Sequence, residues 1–215
     1  MRISVLIDNP ASWFHDFSKE LLRVLKKHDK HCKIVADVDA TNGSDILFVL
    51  SCDRLLKKSE LALHKHNIVV HASDLPRGRG WSPLTWQVEK GFRNIPITLF
   101  EAHQGCDTGD YYLKDKIPLD GSELIEELRE KLAKKVIAMI ERFLRQYPMK
   151  AMPQKGTVTH YRRRRPEDNA LNVSMNLKDQ FNKLRVADNE RYPAYFLFKG
   201  NKYILKIYKS NKEVR

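Results

Sequence analysis

The sequence predicts an α/β fold built on an open, mostly parallel sheet, and two observations lead to this fold class. Short, continuous apolar runs recur along the first 120 residues, as expected of strands that are buried on both faces. Segments with helical periodicity separate several of these runs, which is the arrangement of βαβ units. Ligands of such sheets bind beyond the carboxyl ends of the strands, so we expect a site in the loops there.

The strands and helices can be placed from the same patterns. The predicted strands cover residues 3–7, 32–38, 45–51, 67–73, 95–102 and 110–119. The predicted helices cover residues 12–28, 57–66, 82–91 and 121–147. Ser12 and Ser82 are the expected N-caps of the first and third helices, and Pro83 and Gly91 mark the third helix's ends.

The chain changes character near residue 150, where Pro148 and Pro153 break the helical pattern. We therefore expect a catalytic domain over residues 1–150 and a C-terminal extension over residues 151–215. The extension contains an Arg-rich turn, a short helix over residues 176–188 and a β-hairpin around Gly200 and Asn201.

Composition limits the class of protein. Hydrophobic residues make up 42% of the 215 residues, enough for a core, and no apolar run reaches membrane-spanning length. The amino terminus reads as a strand and not as a signal peptide. Three scattered cysteines indicate a cytoplasmic protein without a disulfide framework or structural zinc. His64 and His66 are expected at the surface.

The net charge of +12 favours anionic partners such as nucleic acid or phosphorylated metabolites, although a solvated basic surface gives the same value. From charge alone, nucleic-acid binding is the less favoured interpretation.

His71 closes a predicted strand, and Asp107 lies 36 residues later in a loop bounded by Gly105 and Gly109. The two residue types suit a general acid/base pair, in which the carboxylate orients the imidazole. A lone histidine in this position would more often be structural. The loop over residues 75–80 contains two arginines and two glycines, which suits anion binding.

Two motifs around this pair resemble those of the folate-dependent formyltransferases, the family that includes methionyl-tRNA formyltransferase. They are Ser73-x-Leu75-Pro76-Arg77-x-x-Gly80-x-x-Pro83 and Asp107-Thr108-Gly109-Asp110. The segment 45–56 resembles the family's pterin-binding strand and loop. The resemblance implies a Rossmann-like fold and 10-formyltetrahydrofolate as the formyl donor, with no metal.

The resemblance also implies the site residues. His71 would move a proton between the amine and the folate nitrogen, and Asp107 would orient it and favour its protonated form. The donor would be bound by Leu50, Ser51, Cys52, Leu55, His103, Gly105, Cys106 and Asp107. The acceptor would be bound by Ser73, Asp74, Arg77, Gly78, Arg79, Gly80, Trp81, Arg163, Tyr192 and Tyr195. Cys106 is expected to pack and not to act as a nucleophile.

The chain departs from the family pattern at Val69, where the family motif carries an asparagine two residues before the histidine. Valine cannot donate a hydrogen bond to a developing oxyanion. Asn67 lies roughly 13 Å from His71 along an extended strand and is a poor substitute. The oxyanion donor is therefore left open between protonated His71, a backbone N–H, a water and another loop.

The extension resembles that of the sugar N-formyltransferases. The matching segments are Tyr161-Arg162-Arg163-Arg164, Pro166-Glu167-Asp168 and Arg185-x-x-Asp188-Asn189-x-x-Tyr192-Pro193-Ala194-Tyr195-Phe196. The implied acceptor is the amine of a UDP- or dTDP-linked amino sugar. The segment 71–86 further resembles formyltransferases of the pseudaminic acid pathway, which implies UDP-4-amino-4,6-dideoxy-N-acetyl-L-altrosamine.

Other acceptors stay open at this stage. They are methionyl-tRNA, a small amine such as glycinamide ribonucleotide, and no acceptor at all, in a non-catalytic nucleic-acid-binding relative. Arg162 to Arg165 are expected either to contact a ligand phosphate or to form an exposed basic turn. A homodimer through the hairpin or the long helix is a further hypothesis, and no membrane contact is expected.

Overall fold

The protein is described by a computed structural model that covers residues 1–41 and 43–210. All but one of the first seven strands join a six-stranded sheet in the order β2-β1-β3-β4-β6-β7, and β1 to β4 are mutually parallel. These strands are β1 (Ile3–Leu6), β2 (Lys33–Val35), β3 (Ile46–Val49), β4 (His66–His71), β5 (Arg79–Gly80), β6 (Asn94–Glu101) and β7 (Tyr111–Pro118). The predicted α/β fold with a mostly parallel sheet is confirmed.

The helices are shorter than their sequence patterns indicate. They are α1 (Ser18–Leu25), α2 (Lys58–Leu61), α3 (Pro83–Glu89), α4 (Ile125–Arg145) and α5 (Phe181–Arg185). The predicted helix over residues 12–28 begins as a 3-10 turn, Trp13–Phe17, before α1. Ser12 does cap it, because its Oγ accepts a hydrogen bond from the Phe14 N–H at 3.3 Å.

Two expectations about polar residues are wrong. Ser82 precedes α3, but its backbone is left-handed (φ +50°) and its side chain makes no cap hydrogen bond. His64 is 8% exposed, and its Nδ1 lies 2.9 Å from the Ser44 carbonyl oxygen. His66 begins β4, and its Nδ1 lies 3.0 Å from Glu101 Oε2. Both imidazoles contact partners that are distant in sequence, and local sequence patterns do not reveal such contacts.

The main apolar core fills the face of the sheet that α1 and α4 cover. Leu21 and Leu25 of α1 and Ile140 of α4 are fully buried there against Val5 and Ile68. Burying each such side chain stabilises the fold by about 2 kcal/mol. A smaller cluster with Leu6, Leu47 and Val49 lies on the opposite face.

The C-terminal part of the chain returns to the loop that follows β4. Strand β8 (His160–Tyr161) pairs in parallel with β5, and β9 (Ala194–Phe198) forms an antiparallel hairpin with β10 (Asn201–Leu205). The hairpin is therefore confirmed, whereas the predicted helix over 176–188 is reduced to the single turn-and-a-half of α5. No helix in the described part of the chain is long and apolar enough to cross a membrane.

Candidate active site

His71 is the last residue of β4 and is almost fully buried. Its Nε2 lies 2.9 Å from the Gly78 carbonyl oxygen and 3.6 Å from Asp107 Oδ2. Because a carbonyl oxygen only accepts, Nε2 carries the hydrogen and donates it. The neutral ring then has Nδ1 unprotonated, and this nitrogen is free to act as a base.

Asp107 reaches His71 by a route that the sequence did not indicate. Strand β6 is antiparallel to β4, with Glu101 opposite Ile68, so its carboxyl end lies beside the amino-terminal part of β4. The expected site beyond the carboxyl ends of the parallel strands therefore holds for His71, whereas the loop of Asp107 starts from the opposite edge of the sheet. The loop after β6 instead folds back toward the end of β4 and brings the carboxylate to the imidazole.

The Asp107 loop has a constrained backbone. Asp107 is left-handed (φ +54°), a conformation that non-glycine residues rarely adopt, and its Oδ2 accepts a hydrogen bond from the Gly80 N–H at 2.8 Å. At Gly109, a β-carbon would lie 1.5 Å from the Glu101 carbonyl oxygen. The loop can hold this path only with glycine at position 109, because the two backbones touch.

A cavity of about 510 Å³ opens beside His71 and Asp107. Its lining includes every residue that the family resemblance assigns to the formyl donor, namely Leu50, Ser51, Cys52, Leu55, His103, Gly105, Cys106 and Asp107. Four of the residues assigned to the acceptor also line it, namely Gly80, Trp81, Arg163 and Tyr192. Three non-glycine residues with positive φ line the same cavity: Ser51, Ser82 and Asp107. Such strained positions cluster at functional sites.

The other residues assigned to the acceptor do not line this cavity. A second concavity of about 520 Å³, behind the loop over residues 73–80, is lined in part by Ser73, Asp74, Arg77 and Gly78. Arg79 donates from Nη2 to Gln154 Oε1 at 2.7 Å. Tyr195 lies on the hairpin with the Lys202 ammonium 3.9 Å from its ring centroid. Their assignment to the acceptor came from motif position, which does not reveal which way a loop residue faces.

Several polar residues of the cavity were missed. Asn9 donates to Asp53 Oδ2 at 2.7 Å, and Arg129 pairs with Asp188 at 2.8 Å. All four line the cavity. Asn9 carried a usable signal, because it lies in the loop that follows the first strand and so belongs to the edge where ligands bind.

Three arginines of the run lie over tryptophan rings, in two sets. Arg162 and Arg164 lie over Trp86, with guanidinium carbons 4.8 and 4.6 Å from the ring centroid, and both form ion pairs. Arg163 lies 4.4 Å over Trp81 at the cavity, and among the described residues its charge is paired by an exposed contact with Asp53 at 3.6 Å. Arg164 and Arg165 line the cavity as well. The Arg164 guanidinium is held by Glu89 and Asn169, so Arg163 and Arg165 are the arginines of the run that are placed to meet an anionic ligand.

The two cysteines of the cavity are not activated. Burial raises the pKa of the Cys106 thiol to about 11, with the Asp107 carboxylate adding to the effect. Burial also raises the pKa of Cys52 to about 12. Both thiols stay protonated at neutral pH, and a protonated thiol is a poor nucleophile. Within the described residues, no group of three or more His, Cys, Asp or Glu side chains is placed to hold a metal ion.

Val69 lies on β4 and contributes to the cavity wall, so an apolar side chain occupies the position of the family's asparagine. Asn67 does not replace it, because its Nδ2 donates to the Leu61 carbonyl oxygen at 2.9 Å and its side chain is buried.

Solved structures share the fold at low sequence identity. A methionyl-tRNA formyltransferase from Clostridium thermocellum is 22% identical, with a TM-score of 0.78 over 94% of this chain and 90% of that one. A likely sugar N-formyltransferase from Mycobacterium tuberculosis is 14% identical, with a TM-score of 0.75 over 99% of both chains. HypX from Aquifex aeolicus, in complex with tetrahydrofolic acid, is 21% identical, with a TM-score of 0.76 over 95% of this chain and 37% of that one.

Sequence comparison identifies the family. A methionyl-tRNA formyltransferase from Thermosipho melanesiensis is 37% identical over 148 residues, which is 67% of this chain and 47% of the relative. The chain thus spans about half the length of this curated relative. The formyl transferase family profile matches residues 2–144, the part that contains the sheet, His71 and Asp107. The chain belongs to the formyl transferase family.

Proposed function

We propose that this protein transfers a formyl group from 10-formyltetrahydrofolate to the amine of a nucleotide-linked amino sugar. One observation carries the proposal. A single cavity joins the His71–Asp107 pair to Arg163 and Tyr192 from the C-terminal part of the chain. The His71–Asp107 pair suits proton transfer. Arg163 suits a phosphate, and Tyr192 suits stacking on a nucleobase.

The donor half of the cavity suits a flat ring system with polar edges. Val49, Leu50 and Phe100 supply apolar wall, and Ser51 and His103 lie on the same lining. The HypX neighbour that holds tetrahydrofolic acid supports a folate donor. We therefore propose 10-formyltetrahydrofolate as the cosubstrate, with no metal.

The chemistry follows from the tautomer of His71, in which Nε2 carries the hydrogen. The acceptor nitrogen forms a bond to the formyl carbon, and Nδ1 takes the proton that this nitrogen loses. The bond between the formyl carbon and folate N10 then breaks, and the same proton moves to N10, which leaves a formamide and tetrahydrofolate. Asp107 faces Nε2–H throughout and stabilises the imidazolium.

The developing oxyanion needs a donor that Val69 does not supply. We propose the Nδ1–H of protonated His71 for this role, since it is formed at the step at which the negative charge appears. A chain that lacks the family's asparagine at this position is expected to be a slow catalyst.

The acceptor half is proposed to be completed by residues 151–215, which act as an extension of a catalytic domain over residues 1–150. Arg163 would bind the diphosphate, and Tyr192 and Trp81 would contact the nucleoside and sugar. The candidate acceptor is UDP-4-amino-4,6-dideoxy-N-acetyl-L-altrosamine, from the resemblance to pseudaminic acid enzymes. The neighbour from Mycobacterium tuberculosis supports the wider class of amino sugars.

Methionyl-tRNA is the second candidate acceptor, and the sequence relatives and the net charge of +12 favour it. Tetrahydrofolate release, followed with UDP- and dTDP-linked amino sugars and with methionyl-tRNA as acceptors, separates the two. We expect turnover on one sugar, with a KM for that sugar at least about tenfold higher in Arg163→Met. Arg23→Met, on the exposed face of α1, is the matched control and should behave as wild type. Turnover on methionyl-tRNA alone would contradict the sugar proposal.

A non-catalytic relative that binds nucleic acid is the remaining alternative, and Val69 is the feature that favours it. Such a protein would bind RNA or DNA with an affinity that falls steeply with salt, and it would not bind folate. Folate binding with turnover excludes this alternative.

A further inference from the structure

Gln154 makes three hydrogen bonds that converge on the Asp107 loop. Its Nε2 donates to the Asp107 carbonyl oxygen at 2.9 Å and to the Gly109 carbonyl oxygen at 2.7 Å. Its Oε1 accepts from Arg79 Nη2 at 2.7 Å. One side chain therefore bridges the turn of Asp107 to the strand that carries Gly80.

The segment around Gln154 is fixed at both ends. Before it, Met152 exchanges two backbone hydrogen bonds with Tyr111, at 2.8 and 2.9 Å. After it, the Arg79 N–H donates to the Thr159 carbonyl oxygen at 3.0 Å, and β8 pairs with β5. Residues 152–161 thus form a strap across both loops, and Gln154 is the strap residue that contacts the Asp107 turn with its side chain.

The turn needs such support. Asp107 is a non-glycine residue in the left-handed region, and such a strained conformation persists only when its surroundings hold it there. If the turn relaxed, the Asp107 carboxylate would leave both the Gly80 N–H and the imidazole. Small displacements of this kind are costly to catalysis, since about 1 Å can reduce a rate by about 10²-fold.

We infer that Gln154 is a positioning residue, which holds the Asp107 carboxylate against His71 by clamping the turn of residues 107–109 and linking it to Arg79. Arg79 then has a supporting role behind the cavity, through its hydrogen bond to Gln154. Gln154 also lies beyond residues 2–144, the part of the chain that the family profile matches. The expected loss of kcat rests on the proposed function, whereas the expected loosening of the Asp107 turn does not.

Two variants and one control test the kinetic consequence. Gln154→Met keeps the side-chain volume and removes all three hydrogen bonds. Gln154→Glu keeps the acceptor for Arg79 but turns a carboxylate toward two carbonyl oxygens. Gln180→Met is the matched control, because Gln180 makes the same kinds of bonds, with Asn172 and Met175, and does not line the cavity.

Both Gln154 variants should lower kcat by about 10- to 100-fold and change the KM for the donor by less than about threefold. Gln180→Met should lower the Tm about as much as Gln154→Met does, because each loses three hydrogen bonds. It should leave kcat within about twofold of wild type. An unchanged kcat in Gln154→Met, or an equal loss of kcat in Gln180→Met, would overturn the inference.

Amide hydrogen exchange tests the structural consequence without any turnover. The Gly80 N–H donates to Asp107 Oδ2, whereas the neighbouring Trp81 N–H donates to the Tyr161 carbonyl oxygen. In Gln154→Met, we expect Gly80 to exchange at least about tenfold faster and Trp81 to exchange at its wild-type rate. Unchanged exchange at Gly80, or equal acceleration at both amides, would overturn the inference. A wild-type protein without formyltransferase activity would contradict the proposed function. The exchange rate of Gly80 would still test whether Gln154 positions the Asp107 turn.

Discussion

Val69 is the single residue at which the candidate site departs most clearly from its family. It lies on the cavity wall two residues before His71, where the family motif has an asparagine. Val69→Asn should therefore add an oxyanion donor and raise kcat about tenfold or more, since one such donor is worth about 10²–10³ in other enzymes. Steady-state kinetics measure the change, with Val69→Ala as the control that removes the valine without adding a donor. A kcat that stays the same or falls would show that the oxyanion is already bound by another donor.

Cys106 offers a test of the electrostatics beside Asp107. Burial and the neighbouring carboxylate raise the pKa of this thiol to about 11, so its thiolate is scarce at neutral pH. Alkylation of Cys106 by iodoacetamide should be slow at pH 7 and should accelerate about tenfold per pH unit up to about pH 11. Peptide mass mapping measures the fraction of Cys106 that is alkylated at each pH. Fast labelling at pH 7 would mean that the thiol is more exposed, or less strongly influenced by Asp107, than the geometry indicates.

The sequence predicts single residues well where the chemistry is local. The pairing of His71 with Asp107 and the cap at Ser12 both follow from residue type and spacing. Ser73 and Arg77 face a different concavity from the one expected, because a motif gives the order of loop residues and not their direction. The contacts of Gln154 could not be predicted from the local sequence, because its three partners lie 45 to 75 residues away along the chain.

At the scale of elements, the loop after β6 depends on the absence of a side chain at Gly109. A β-carbon there would meet the Glu101 backbone at 1.5 Å, whereas one at Gly156 would meet nothing within 4 Å. Gly109→Ala should lower the free energy of unfolding by about 2–3 kcal/mol and displace Asp107. Gly156→Ala should cost only about 1 kcal/mol, from its left-handed backbone. Urea denaturation compares them, and equal costs would contradict the close approach.

The direction of β6 shows why elements are only partly predictable. Its apolar run indicates a buried strand, but parallel and antiparallel central strands share that pattern. Its pairing with β4 is antiparallel, so the loop that carries Asp107 leaves from the end of the strand farther from His71. The meeting of the two residues was predicted correctly, whereas the path that brings them together was not.

At the scale of the whole molecule, a buried ion pair joins α5 to the segment before α4. Arg185 is 1% exposed, and its Nη1 lies 3.0 Å from the Glu123 carbonyl oxygen and 3.5 Å from Glu123 Oε2. Burial alone would raise the pKa of Glu123. Hydrogen bonds from Lys131 and from the Asp120 and Gly121 N–H groups outweigh it and lower the pKa to about 2.

The pKa of Glu123 predicts acid destabilisation. Because the pKa is lower in the folded chain, the stabilisation is complete above about pH 4.5 and is lost as the pH falls toward 2. It amounts to about 3 kcal/mol. Glu123→Gln should be less stable than wild type at pH 7, and the difference should close over that window. Urea denaturation at several pH values measures it, with Glu130→Gln as an exposed control. A difference that does not change with pH would contradict the prediction.

The homodimer stays a prediction, and the hairpin is the face that we expect to form it. Leu197 and Ile204 of the hairpin are 63% and 52% exposed, whereas the exposed positions of α4 are mainly charged. Leu197→Glu should then convert a dimer into a monomer in light scattering. A wild-type monomer at high concentration would contradict the prediction.

The division of the chain near residue 150 likewise stays a prediction. The candidate site contains residues from both sides of that point. The cavity takes Arg163 and Tyr192 from beyond that point, and the Asp107 turn takes Gln154. A chain cut at residue 150 would therefore lose parts of the site as well as stability.

The central claim is that the His71–Asp107 pair moves the proton during formyl transfer from a folate donor. Its most direct test is single-turnover release of tetrahydrofolate from 10-formyltetrahydrofolate with the best acceptor, in wild type, His71→Asn, Asp107→Asn and Thr108→Val. Thr108 is the control, because it lies in the same loop, its hydroxyl donates to the Gln104 carbonyl oxygen, and it does not line the cavity. We predict losses of about 10²–10⁴-fold in the first two variants and little change in the third. Turnover that survives both substitutions would contradict the account.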